Sequence, residues 1–83
     1  MTREQVYKLI DQERDRQTAK WGEQRHDLIE WNAILMEEVG EASREILEQH
    51  FDTFYHPDSG RVDRIKKELT QVAAVAVQIL EQI

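Results

Sequence analysis

Val72-Ala73-Ala74-Val75-Ala76-Val77 is an unbroken apolar run of six residues. On a helix, six consecutive residues point in every direction around the axis, so such a helix asks for cover on all sides. The valines also suit a strand. No other segment offers a plausible pairing partner, however, and the alanines favour helix. The helix is expected from about Arg61 to the C-terminus, with Asp58 or Ser59 as its cap. Its main stripe is read as Ile65, Leu69, Val72, Ala76 and Leu80. The other helices of the chain shield two of its sides, and the remaining side asks for a partner chain. The expected fold class is therefore all-α. It has three main helices per chain, the second and third forming a four-helix core with a second copy.

Outward from this run, one proline and three glycines punctuate the chain. Trp21-Gly22 closes a first helix expected over about Thr2–Lys20, and Thr2 with Gln5 has the pattern of a capping box. Val6, Leu9, Ile10 and Tyr7 give that helix a short apolar stripe. The stretch Asp11–Gln17 has none, which suits either a solvated face or the wall of a wet pocket. A second helix is expected over about Leu28–Gln49, started by Asp27 with Glu30. Leu28, Trp31, Leu35, Val39, Ala42 and Ile46 recur along it at helical spacing. Gly40 lies inside this pattern at a cost of roughly 1 kcal/mol relative to alanine. Its bare backbone suggests close approach by another backbone or a ligand.

At 83 residues the chain is read as one domain, 1–83. A domain so small needs a disulfide, a metal or a partner to supplement its thin core. Cysteine is absent, which removes disulfides and thiolate metal sites and fits a reducing cytoplasm. The net charge of −6 argues against a nucleic-acid polymer as partner, because phosphate backbones are gripped by basic surfaces. No apolar run approaches the roughly 20 residues of a membrane span. Residues 1–20 are charged throughout and do not read as a signal peptide.

Glu37-Glu38-Val39-Gly40-Glu41 and Glu68-Leu69-Thr70-Gln71 carry the chemistry. Residues three apart share a helix face, so Glu38 points with Glu41, and Glu68 with Gln71. Glu38 falls between Leu35 and Ala42, and Glu68 between Ile65 and Val72. Both carboxylates thus abut apolar stripes. Buried carboxylates are rarely unpaired, since desolvating a charge is costly. The cation is either a surface partner such as Arg44, Lys66 or Lys67, or a hard divalent ion, which takes oxygen ligands.

These two blocks resemble the EExxE…ExxD signature of MazG-like, all-α nucleoside triphosphate pyrophosphohydrolases. The segments Arg16–Gln24 and Glu68–Val77 resemble the corresponding parts of small phage and prophage members, and the likeness spans about residues 14–81. The resemblance implies Mg²⁺, replaceable by Mn²⁺, held by Glu38, Glu41 and Glu68. Glu37 is a further ligand or the group that orients the attacking water. The family's fourth ligand is usually Asp. Here it is Gln71, whose amide oxygen coordinates without charge. The implied reaction cleaves a nucleotide between its α and β phosphates. Arg16, Gln17, Lys20 and Trp21 are then substrate-binding positions, with Arg16 and Lys20 as outer phosphate contacts and Trp21 either stacking on the base or plugging the corner between the first two helices. The alternative function is a non-catalytic or weakly active helical dimer that binds nucleotide or a protein partner.

Other constellations carry less. Glu23-x-x-His26 has the spacing of a di-iron ligand pair, but such a bundle needs a second pair. Trp31 reads as core. His50, Phe51, Phe54, Tyr55 and His56 form an aromatic connection, read mainly as a cap on the helix ends.

Overall fold

The computed structural model describes residues 1–52 and 60–83. Among them lie three helices and no strand: α1 (Arg3–Trp21), α2 (Leu28–Asp52) and α3 (Arg61–Gln82). The aromatic segment around Phe54, Tyr55 and His56, and the expected caps Asp58 and Ser59, lie outside the described residues. The N-cap position of α3 is Gly60, which makes no side-chain cap bond. Its carbonyl accepts from the Arg64 N–H at 3.1 Å.

Local chemistry sets the helix starts. The Thr2 hydroxyl accepts from the Gln5 N–H at 3.1 Å, and the Gln5 side chain accepts from the Thr2 N–H at 2.8 Å. Two otherwise orphaned donors are thereby satisfied. Asp27 repeats the device on α2, accepting from the Glu30 N–H at 2.8 Å. That bond holds the Asp27 carboxyl below the usual carboxylate range. At the end of α1, Gly22 takes φ +72°, a conformation that L side chains rarely adopt, and its N–H returns to the Thr18 carbonyl at 2.8 Å. Helix α2 runs on to Asp52, beyond the expected end at Gln49. Phe51 is helical and exposed, and its ring meets that of His50 edge to face at 4.9 Å.

Helix α3 is the middle element. It packs against both α1 and α2, while α1 and α2 do not pack on each other among the described residues. The core consists of Trp31 and Ala42 from α2 with Ala74 and Val75 from α3. Trp31 is 2% exposed, and its indole N–H donates to Gln82 Oε1 at 2.9 Å. The Gln82 amide in turn donates to the Gln24 carbonyl. This relay ties the segment after α1 to the end of α3. Across α3, Arg14 bridges to Glu81 at 3.0 Å and clamps α1 in place.

The buried face of α3 differs from the expected stripe. Ala74, Val75 and Gln78 are buried, whereas Leu69 and Leu80 are exposed. Leu28 and Ile46 of the expected α2 stripe are exposed as well. A helix apolar all round gives no sequence signal for which side faces inward. Gly40 has open space beside it within this chain: a Cβ built there meets nothing within 4 Å. The close neighbour expected at that glycine is therefore not another part of this chain among the described residues.

Candidate metal centre

Packing α2 on α3 brings Glu38, Glu41 and Glu68 together. One carboxylate oxygen from each lies within 4.8 Å of the others. The i, i+3 spacing of Glu38 and Glu41 supplies two of these groups from one face of α2. Glu68 comes from the facing turn of α3. One oxygen each of Glu38 and Glu68 is buried without a hydrogen-bond partner.

Among the described residues no cation pairs with any of the three. Lys67 acts on Glu68 through its charge without forming an ion pair with it. Arg44 approaches Glu48 at 3.9 Å. Glu45 faces Arg64 at 3.5 Å and Arg61 at 3.9 Å, and Arg61 reaches Glu48 at 2.7 Å. Glu45 is therefore ion-paired as expected of a structural glutamate, with arginines of α3 as its partners. The pairing stops one turn short of the cluster.

Burial pushes the Glu38 carboxyl above the usual carboxylate range, and the charges of Glu41, Glu68, Glu37 and Glu13 push it further. Glu68 is raised by burial first and then by Glu41, through both its charge and a side-chain hydrogen bond; Lys67 opposes the shift. Protons are thus held more tightly in the folded chain than in the unfolded one. A divalent cation answers the same need with far more charge. The donor set is all oxygen, which suits Mg²⁺ or Mn²⁺.

Glu38 also lines a cleft of about 410 Å³ between α1 and α2, with α3 along it. Gln71 stands in the same cleft, on the α3 side. From α1 come Arg16, Gln17 and Trp21, and from the segment before α2 come Gln24 and His26. Thus Arg16, Gln17, Trp21, Glu38 and Gln71 meet at one cleft. Lys20 does not line it, but its ammonium sits 4.7 Å from the Trp21 ring centre, and the Arg16 guanidinium sits at 5.7 Å. Trp21 is 51% exposed, so it is a cleft residue and not a plug of the helix corner. Glu37 is exposed and outside the three-carboxylate cluster. Its charge nevertheless acts on Glu38.

Three contributors had little signal in the sequence. Glu13 faces the cluster from α1 and holds Arg16 at 2.6 Å, which raises the Arg16 pKa. The i, i+3 spacing of the pair is its sequence trace. Gln78 is a buried polar residue inside an otherwise apolar stretch. His26 packs edge to face on Trp31 at 4.8 Å and reaches Glu30 at 3.3 Å. Glu23 pairs with Arg25 at 3.0 Å, so Glu23 and His26 do not form a ligand pair.

No protein-family model, curated protein or solved structure matches the chain. No helix among the described residues is long and apolar enough to cross a membrane.

The raised carboxyls make a signed prediction for the metal-free protein. Stability from Glu38 and Glu68 is fully present below their unfolded pKa and is lost as pH rises through their higher folded pKa. Near neutral pH without divalent ions, Glu38→Gln should therefore raise the melting temperature. The gain should vanish when the solution is acidified below the carboxylate range. Mg²⁺ at roughly a hundredfold excess over its Kd should stabilise the wild type by about 2.7 kcal/mol. Glu38→Gln and Glu68→Gln should each remove most of that increment. A wild-type melting curve indifferent to divalent ions would make the cluster an ordinary acidic surface.

Proposed function

We propose that the chain is a metal-dependent nucleotide pyrophosphohydrolase of the MazG-like kind. The observation that carries this reading is the double membership of Glu38: it belongs to the unpaired carboxylate cluster and to the wall of the cleft. A cation bound by the cluster therefore adjoins whatever occupies the cleft. Glu38, Glu41 and Glu68 are the proposed ligands, with the Gln71 amide oxygen on the cleft side. When bound there, a divalent ion supplies positive charge for the phosphate oxygens and a lowered pKa for the attacking water.

The chain's own residues do the rest. Arg16 and Lys20 bring positive charge beside Trp21, which offsets part of the acidic surface that a polyanion meets on entry. Trp21 offers a half-exposed aromatic face for the base. Glu37, one residue from the cluster, orients the water. In the reaction the water oxygen bonds to the α-phosphorus and the bond from that phosphorus to the bridging oxygen breaks. A nucleoside monophosphate and pyrophosphate leave, and the water proton passes to solvent.

The working unit in this reading is a dimer or tetramer of the chain. Ile29, Ala33, Met36, Gly40, Ser43 and Leu47 alternate four and three apart along α2, the spacing of a helix–helix seam. Ile29 is 83% exposed, and Met36 and Leu47 are more than half exposed. An apolar groove of about 250 Å³, lined by Ile46, Leu47, Leu69 and Val72 among others, continues this face onto α3. Gly40 and Ser43 at its middle let a second helix approach closely. Light scattering at micromolar concentration should report at least a dimer; a cooperatively melting monomer would refute the shared core.

A non-catalytic, nucleotide-binding dimer is the rival reading, and Gln71 favours it by leaving the site one charge short. Pyrophosphate release from a panel of nucleoside triphosphates with Mg²⁺ separates the two. Wild type should release pyrophosphate, and Glu68→Gln should lower the rate on the order of a hundredfold, the scale of losing about 2.7 kcal/mol of charge stabilisation. Gln71→Asp should lower the Mg²⁺ concentration for half-maximal activity. Metal binding without pyrophosphate release from any nucleotide, in wild type and Gln71→Asp alike, would favour the rival.

A further inference from the structure

Gln78 is 6% exposed, yet none of the described residues gives its amide a hydrogen-bond partner. Its amide atoms are not sealed from solvent, which leaves them free to hydrogen-bond a ligand. Its side chain forms part of the cleft lining. Gln17, across the cleft on α1, also lines it, and its Oε1 is buried without a partner. An open carboxamide and one with a buried, unpartnered oxygen thus border one cavity. Its other walls include the aromatic rings of Trp21 and His26 and the aliphatic side chains of Ile34 and Val75.

Each carboxamide presents a donor and an acceptor side by side. The complementary ligand is flat, to lie against aromatic and aliphatic walls, and carries adjacent donor and acceptor groups on its edge. Nucleobases have that chemistry, and glutamine pairs with base edges in this bidentate fashion. An inorganic polyphosphate has acceptors only and leaves the glutamine oxygens unpaired. We infer that Gln78, assisted by Gln17, reads the edge of a nucleobase held in the cleft, which makes Gln78 a specificity-determining residue. This deepens the hydrolase reading and rests on it for the direction of the phosphates, which extend from the base toward Glu38.

Calorimetric binding of nucleoside monophosphates tests the inference without turnover. Ribose 5-phosphate serves as the base-free control, with Mg²⁺ present throughout. Wild type should bind at least one monophosphate about tenfold or more tighter than ribose 5-phosphate, the scale of one good bidentate pair. Gln78→Met keeps length and lack of branching but removes the polar groups. It should cut that advantage severalfold or more while leaving ribose 5-phosphate affinity unchanged. Gln78→Glu replaces a donor–acceptor pair with two acceptors. Its ranking should move toward guanine, which shows two adjacent donors, and away from uracil and thymine, which show one donor between acceptors. Comparing bases within this variant cancels the added charge.

The inference is overturned if Gln78→Met, folded by circular dichroism, keeps the wild-type base advantage. It is also overturned if wild type does not distinguish monophosphates from ribose 5-phosphate. Should Gln78→Met fail to fold, Gln17→Met carries the same comparison: a lost base advantage supports the paired reading, and a retained one opposes it. Base-dependent binding by a wild type that releases no pyrophosphate would sink the hydrolase and leave the base subsite standing.

Discussion

Three carboxylates held within 4.8 Å of one another repel, and burial of two of their oxygens adds a desolvation cost. The packing of α2 on α3 imposes this arrangement. Ala42, Ala74 and Val75 are small or β-branched and let the helices approach, and Trp31 fills the space one end of the interface leaves. That packing fixes the backbone positions of the three glutamates, so only side-chain rotation can part their carboxylates. Nearby glutamates that serve structure are answered by arginines, as Glu45 and Glu48 are by Arg61 and Arg64. The contrast between a paired turn and an unpaired one along the same two helices is what singles out the site.

The cleft follows from the same topology. Because α3 lies between α1 and α2, and those two do not pack on each other, a space opens between them with α3 along it. The Trp31–Gln82–Gln24 relay and the Arg14–Glu81 bridge fix the approach of α1 to the end of α3. The polar stretch of α1 thereby faces a wet cleft in part: Arg16 and Gln17 line it, while Asp11 and Asp15 are exposed. Arg16 and Lys20 lie beside Trp21, and the charges of Glu41, Glu68, Glu37 and Glu13 act on Glu38.

Much of this was legible in the sequence where the determinants are local. The capping pairs Thr2–Gln5 and Asp27–Glu30 are three residues apart, and so are the carboxylates Glu38 and Glu41. Such spacings state a shared face directly. Joining Glu68 to them as one ligand set rested on the family resemblance, since the stripe expected for α3 is not the face that packs inward. The inward face of α3 was not legible, because Val72–Val77 is apolar in all directions and only packing distinguishes Val75 from Leu69. Gln78 was missed for the related reason that its burial depends on α1. Its trace is a lone polar residue in apolar surroundings, seven positions after Gln71 and so on nearly the same face. Gly40 reads as a close-packing residue in sequence, and among the described residues nothing of this chain lies within 4 Å of a Cβ built there.

Paramagnetic broadening by Mn²⁺ tests directly for a divalent ion at the meeting of α2 and α3. With substoichiometric Mn²⁺, backbone amide signals of Glu38, Glu41, Glu68 and Gln71 should vanish first. Those near Glu81, about 20 Å along α3 from Glu68 at a helical rise of about 1.5 Å per residue, should persist. Excess Mg²⁺ should restore the lost signals. Broadening spread evenly over distant exposed acids such as Glu23 and Glu81, or none at all, would contradict the metal centre.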